Sequence, residues 1–471
     1  MSDLESRKVI VIGAGPGGYA AAFRAADFGM HVTLIDQSPN PGGVCLYRGC
    51  IPSKALLHAA KIIEDTKQAA SIGLSFGKPK INLNQLRTWK TSVVERLTGG
   101  LGVLAKQRKV MFVQGTAVFE SSNSVKVTKP DRSKEIFKFD HAILAVGSRS
   151  IRLTGAPDDL WDSTKALALE EVPETLLIVG GGYIGLELGS VYANLGSRVT
   201  VVEMLPQVMT GADRDLVSVF LKKAEGMFEA IYTQTKVDNI QFCERKYKVR
   251  FSSQRQNLND KVFNQVLVSI GRKPNTDSVG LEKTKVRLND NGFVRVNPNR
   301  QTDDPSIFAI GDITGGPLLA HKAAHEGKTA AESIAGKKAA FEPTVIPGIV
   351  YTNPEIAWCG LTETEAKAAG DKFKVAKFPW AASGRALTMG VTNGITKLVI
   401  DPDTERILGV GLAGTGAGEL ISEGALAVEM AALASDISFT IHPHPTLSET
   451  IMEAADVFYG TSTHIFRPRR S

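Results

Sequence analysis

Cys45 and Cys50 stand five residues apart in the run Gly42-Gly43-Val44-Cys45-Leu46-Tyr47-Arg48-Gly49-Cys50-Ile51-Pro52-Ser53-Lys54. Two thiols held together can exchange an electron pair as a disulfide. On an ideal α-helix, residues i and i+5 have Cα atoms roughly 8.7 Å apart, whereas a disulfide needs about 4.4–6.8 Å. A closed pair therefore demands a distorted backbone between the cysteines, and Gly49 is the residue best able to supply it. Exchange with a dithiol substrate also needs a base, because a thiol of pKa about 8.5 is only a few per cent ionised near neutral pH. His444, in Ile441-His442-Pro443-His444-Pro445-Thr446-Leu447-Ser448-Glu449, is the best candidate. Glu449 can hold its other ring nitrogen if the chain turns into a helix near Thr446. The flanking prolines keep the histidine segment rigid and non-helical. About 400 residues separate His444 from Cys45, so only tertiary folding or a second subunit can join them.

The elements that position this chemistry are two copies of one pattern. Lys8–Ile12 reads as a strand, Gly13-Ala14-Gly15-Pro16-Gly17-Gly18 opens an alanine-rich helix, and a second strand ends in Asp36. Gly13 permits the tight turn, Gly15 lets backbone N–H groups approach a pyrophosphate, Gly18 lets helix and strand pack closely, and Asp36 accepts from a ribose hydroxyl. The pattern returns at Leu176–Val179, with Gly180, Gly182 and Gly185 in the turn and Glu203 closing the strand that starts at Arg198. Each acid lies eighteen residues past the last glycine of its motif. Two dinucleotides are therefore expected. Glu203 at the ribose position favours NAD over NADP, since a 2′-phosphate would face a carboxylate, and Met204-Leu205-Pro206-Gln207 offers no cation. Thr302–Asp312 reads as a turn and a buried strand ending in an acid, which makes Asp312 a second anchor for the first dinucleotide.

Composition narrows the class. The 471 residues suggest two to four domains, and 43% hydrophobic with 22% charged residues is ordinary for a globular enzyme. A scattered net charge of +6, from 55 basic and 49 acidic residues, carries no basic stripe and argues against nucleic acid as a partner. Four cysteines are too few for a disulfide-built secreted chain, so a reducing, cytoplasmic setting is expected. The first eight residues do not resemble a secretory signal, and the apolar stretch Leu176–Gly196 is broken by Glu187 and Asn194, against a membrane span.

Taken in order along the chain, the two glycine motifs, the Gly-Gly-x-Cys-x4-Cys-x-Pro-Ser-Lys run, the Thr-x4-Ile-Phe-Ala-Ile-Gly-Asp segment and the His-x-His-Pro-Thr ending resemble flavin-dependent pyridine nucleotide–disulfide oxidoreductases. The ending and Glu203 look most like those members that reoxidise dihydrolipoyl groups of 2-oxo acid dehydrogenase complexes and reduce NAD. The resemblance implies an α/β chain with two Rossmann-like domains and a C-terminal α+β dimerisation domain. Its divisions are an FAD domain over 1–149, an NAD domain over 150–273, a central domain over 274–346 and an interface domain over 347–471. It implies that FAD lies against Asp36, Lys54, Ala117, Asp312 and Ala320, and that Tyr183 and Glu187 face the nicotinamide side. A Lys54–Glu187 ion pair is implied, and Gly271 belongs with the NAD site. Cys45 would meet substrate, Cys50 would adjoin the flavin, and His444 would come from the partner of a homodimer. The lipoyl arm would come from an acyltransferase component, since no lipoyl-carrying domain is seen here.

One departure from the family pattern is Ala145-Val146-Gly147, where a threonine hydroxyl is usual. Two other readings stay open. A glutathione-reductase-like enzyme would suit Tyr183 but not Glu203, and a non-catalytic subunit of a complex would need none of Cys45, Cys50, His444 or Glu449. The ending Phe466-Arg467-Pro468-Arg469-Arg470-Ser471 lacks the extra cysteine pair of mercuric and large thioredoxin reductases.

Overall fold

In a computed structural model describing residues 4–253, 255 and 257–466, the two repeated patterns become two parallel sheets. The readings of the chain ends rest partly on residues 1–3 and 467–471, which lie outside the described residues. The first sheet orders its strands Ile307–Ala309, His141–Leu144, Lys8–Ile12, His31–Asp36 and Met111–Gln114, all parallel. Its central strand is buried from Val9 to Ile12, as a sheet covered on both faces requires. The helix Pro16–Asp27 packs on one face, its proline at the first turn, where a missing N–H costs nothing. The strand from residues 307–309 comes from far along the chain, so the first nucleotide sheet is completed by the segment that carries Asp312.

The second sheet orders Ala230–Tyr232, Arg198–Val202, Thr175–Val179 and Gln265–Val268, again parallel. The helix Tyr183–Leu195 follows its glycine turn. Both turns work the same way. Gly13 and Gly180 have φ of +97° and +108°, which only glycine adopts freely. A Cβ on Gly18 or Gly185 would come within 1.8 or 2.3 Å of the carbonyl oxygen of Gly13 or Gly180, so helix and strand meet backbone to backbone. The short antiparallel pair Ser148–Ser150 and Arg272–Pro274 joins the two nucleotide units.

C-terminal to both, an antiparallel sheet runs Gly348–Val350, Glu355–Gly360, Ile407–Gly414, Ile395–Ile400 and Lys374–Pro379, covered by the helices Ala417–Glu429 and Glu449–Tyr459. Trp380 is fully buried here. Its indole N–H donates to Thr396 Oγ1 at 3.0 Å, and Thr396 donates to Thr450 at 2.7 Å, which fixes the start of the second helix. Truncating such a residue costs about 3–5 kcal/mol. Lys397, 1% exposed, ties this sheet to the second nucleotide unit through Asp213 at 2.8 Å and Asp215 at 3.1 Å, with Glu363 also at 2.8 Å. Removing one partner of a buried cluster like this one costs roughly 3–5 kcal/mol, because the remaining charges lose their solvation without compensation.

Candidate active site

The cysteines are separated by the expected break. Cys45 belongs to the short helix Gly43–Arg48, Cys50 opens the long helix Cys50–Gln68, and Gly49 between them adopts φ −143° and ψ −116°. A Cβ at Gly49 would sit 2.9 Å from the Val44 carbonyl oxygen and 3.2 Å from the Cys45 Cα, so no other residue fits without displacing the cysteine. Both cysteines are free thiols that hydrogen-bond each other. The bond from Cys45 pulls the Cys50 thiol down to about 7 against the opposing effect of burial, with the Lys54 charge helping, and it pushes Cys45 up. The two thiols titrate as a pair, and its first proton is lost more readily than from an isolated cysteine. Cys359, in contrast, is buried and pushed up to about 12, and Cys243 lies on the exposed strand Thr235–Cys243.

One turn after Cys50, Lys54 Nζ is 2.7 Å from Glu187 Oε2, so the implied ion pair is present. Glu187 is 3% exposed, and a buried carboxylate needs every lone pair satisfied. Ser53 Oγ donates to it at 3.0 Å and the Tyr351 amide at 3.0 Å. The Lys54 ammonium also lies 4.6 Å from the centre of the Tyr351 ring.

These groups open onto a cavity of about 680 Å³ that runs from the first glycine turn past the cysteines to Tyr183. Gly13, Gly15, Asp36, Cys45, Cys50, Lys54, Ala117, Glu187, Asp312 and Ala320 all line it. Gly18 lies behind the wall against Gly13. A Cβ on Gly15 would meet nothing within 4 Å, so this glycine faces room for a ligand rather than neighbouring chain. Asp36 sits at the end of its strand, accepting from the Ala14 amide at 2.7 Å and the Ser38 amide at 2.8 Å. Two helices, starting at Pro16 and Ala320, direct their N-termini into this space, where unpaired N–H groups favour phosphate. An elongated dinucleotide flavin fits this cradle.

The second motif lies outside that cavity. Gly180, Gly182, Gly185, Glu203 and Gly271 are absent from its wall, and Tyr183, the first residue of its helix, stands between the two regions. Glu203 copies Asp36, accepting from the Gly181 amide at 2.7 Å and the Leu205 amide at 2.8 Å. Sequence reasoning missed Ser148 and Arg272, which also line the cavity. Arg272 Nε donates to Ser148 Oγ at 2.7 Å, and that hydroxyl in turn donates to Asp312. The partners are scattered along the chain, so no spacing signal marks them.

His444 and Glu449 are brought together, with Nδ1 and Oε1 2.9 Å apart. The helix starts at Glu449 rather than near Thr446, and Glu449 reaches back to accept from the Thr446 amide at 2.7 Å. Burial pushes the Glu449 carboxyl up, but that amide and the histidine outweigh it and hold it below the usual carboxylate range. Neither residue lines the cavity, and the His444 side chain is 72% exposed. His442 has a structural environment, held between Glu423 at 2.7 Å and the Thr440 carbonyl at 2.8 Å. Among the described residues no helix is long and apolar enough to cross a membrane.

A flavin-sized cradle against a thiol pair, beside a second nucleotide turn, defines a flavoprotein disulfide oxidoreductase. Residues 7–327 match the pyridine nucleotide-disulphide oxidoreductase family and residues 346–455 its dimerisation domain, and the chain belongs to that family. More narrowly, its similar relatives are dihydrolipoyl dehydrogenases. Those of Vibrio parahaemolyticus and Haemophilus influenzae are each 48% identical over 468 residues, covering 99% of this chain and 98% of the relative. The Thermus scotoductus protein is 44% identical over 466 residues, covering 98% and 99%. Among solved structures, a copper complex of a hypochlorous-acid-induced flavoprotein disulfide reductase from Escherichia coli superposes with a TM-score of 0.83 at 26% identity, covering 94% of this chain and 98% of that one. LpdA of Mycobacterium tuberculosis, at 24% identity and TM-score 0.88 over 96% and 99%, shares the fold. The chain is thus an NAD-dependent flavoprotein disulfide oxidoreductase using FAD and NAD.

Proposed function

We propose that this enzyme reoxidises protein-bound dihydrolipoyl groups carried by the acyltransferase component of a 2-oxo acid dehydrogenase complex, reducing NAD to NADH. The observation that carries the reading is the thiol pair across Gly49, opening onto the flavin-sized cavity with Lys54 and Glu187 beside it. Residues 1–149 with 274–346 form the flavin unit in this reading, 150–273 the NAD unit and 347–471 the interface unit. The strand Ile307–Ala309 in the first sheet supports joining the first two segments. Gly13, Gly15, Gly18, Asp36, Lys54, Ala117, Asp312 and Ala320 hold FAD. Gly180, Gly182, Gly185, Glu203 and Gly271 hold NAD, with Glu187 at the boundary. A cytoplasmic setting accords with the scarcity of cysteine.

The residues divide the work. His444, oriented by Glu449, takes the proton from one substrate thiol. The resulting thiolate attacks Cys45 Sγ to form a mixed disulfide, the Cys45–Cys50 bond breaks, and Cys50 leaves as a thiolate that the Lys54 charge stabilises. The second substrate thiol then attacks the mixed disulfide, closing the lipoyl ring and releasing Cys45 as a thiol. Two electrons and two protons have left the substrate, and the electron pair resides on the two cysteines. The cradle of Asp36, Lys54, Asp312 and Ala320 would hold FAD beside Cys50, and the flavin would supply the means to take up that pair and hand it to NAD as hydride. The dimerisation domain and the outward-facing His444 support a homodimer in which each base serves the partner's cysteines.

Steady-state NAD reduction with dihydrolipoamide, glutathione and NADP tests the assignment. Turnover is expected with dihydrolipoamide and NAD. Equal activity with glutathione and NADP would overturn it.

A further inference from the structure

Glu326 is the most completely buried acid of the described residues, with 0% exposure, and nothing in the exchange chemistry uses it. It projects from the helix Ala320–Ile334 to the turn Gly311–Thr314, whose second residue is Asp312. Glu326 Oε2 accepts from the Gly311 amide at 2.6 Å. Its Oε1 meets Arg300 Nη1 at 2.8 Å and Lys322 Nζ at 3.0 Å. Both cations are shielded, with side chains 13% and 6% exposed. Arg300 is delivered by a tight turn at φ +67° and lies against the Phe341 ring, and its Nε has no partner among the described residues. Thr314 Oγ1 closes the turn onto the Gly311 carbonyl at 2.8 Å.

Two cations thus share one carboxylate directly behind the turn that presents Asp312 to the cavity. On the other side of Asp312 stand Ser148 and Arg272. A structural ion pair would balance its charge, since an uncompensated buried charge is costly. This cluster instead retains one net positive charge on side chains shielded from solvent, and such a charge acts at longer range than one in solvent.

We infer that Glu326 positions the Gly311–Asp312 turn, and that with Arg300 and Lys322 it forms a buried, net-positive centre that sets how tightly the flavin is held and how readily it is reduced. The inference rests on the flavin reading of the cavity. Reduction adds negative charge to the flavin, so removing a cation disfavours it and removing the carboxylate favours it.

The test uses the flavin-loaded enzyme and the variants Glu326→Gln, Lys322→Met and Arg300→Met. Two quantities are read: flavin release into free FAD by fluorescence, and the reduction equilibrium against a dye of known potential under anaerobic conditions. Glu326→Gln is expected to release flavin faster and to shift the equilibrium toward the reduced form. Lys322→Met and Arg300→Met should shift it toward the oxidised form, each by about fivefold, the scale of one unit charge acting over roughly 10 Å at an effective dielectric of about 40. Shifts in the same direction for all three, or none, would overturn the inference, because a purely structural role gives no sign reversal. If Glu326→Gln does not fold, the sign of the Lys322→Met shift alone decides. A wild-type protein that retains no flavin would instead refute the underlying reading of the cavity.

Discussion

The cysteine pair and the His444–Glu449 pair are built by opposite strategies. The cysteines are flanked by groups of their own chain: a glycine break, Lys54 one turn on, Glu187 from the second nucleotide unit and Tyr351 from the third. The Glu187 carboxylate beside them is answered within the chain by Lys54, Ser53 and the Tyr351 amide. The histidine is as well oriented, with Glu449 on one nitrogen, yet its side chain is 72% exposed and lies outside the wall of the flavin-sized cavity. In the segment leading to it, Phe439 and Ile441 are 84% and 95% exposed. In the proposed mechanism the difference means that one chain carries the whole electron-storing pair, while the proton-handling pair is set out for delivery to a partner.

Breaking the cysteine half should cost most. Cys45→Ser is expected to lower dihydrolipoamide-dependent NAD reduction by at least roughly a thousandfold, as loss of a covalently reacting side chain does. Flavin content, read from visible absorbance, should stay as in the wild type. His444→Gln removes general-base catalysis and is expected to cost about a hundred- to ten-thousandfold in kcat/KM. The contrast sharpens when these two inactive proteins are unfolded together and refolded. If each base serves the partner's cysteines, half of the dimers contain one good site, and activity returns to about a quarter of wild type. Mixtures that stay inactive would place both halves of the site in one chain.

The legible parts of the molecule are those whose physics is local. Gly13, Gly18 and Asp36 declare a nucleotide turn because a positive φ, a backbone contact and a strand end each dictate a residue type at fixed spacing. Gly49 is legible for the same reason, since the distance between Cys45 and Cys50 cannot close on a regular helix. Lys397 bonding Asp213 across 184 residues, Ser148 reaching Asp312 across 164, and Glu326 holding Gly311 carry no such mark. Their partners are set by how sheets stack, and a buried lysine looks like any surface lysine in sequence. The helix start at Glu449 shows the middle case. Pro445 limits where the helix can begin, but the Glu449 carboxylate taking the Thr446 amide decides the residue.

Within the outward half, Glu449→Gln keeps the shape but removes the charge that orients and supports the imidazole. A charged hydrogen bond is worth about 1.5–3 kcal/mol, so kcat/KM is expected to fall roughly ten- to a hundredfold, less than for His444→Gln. The Glu449 carboxyl lies below the usual range, so it is ionised at every pH where turnover is measured. A loss in Glu449→Gln that vanished at alkaline pH would show that it supports only the protonated ring.

The smallest expected effect returns to the cysteine half. In the reduced enzyme the Cys50 thiol is pulled down to about 7, first by the Cys45 thiol and then by the Lys54 charge, against burial and the Glu187 carboxylate. Ultraviolet thiolate absorbance of the reduced protein should therefore be present above about pH 7 and fade as the pH falls through it. Lys54→Met removes the helping charge and leaves Glu187, buried and without its ammonium partner, facing the sulfur. The midpoint should move up. Cys45→Ser keeps a hydroxyl donor and should move it less, which separates the two contributions. A midpoint unmoved in Lys54→Met would mean that the neighbouring thiol alone sets the leaving group, and that the lysine serves Glu187 instead.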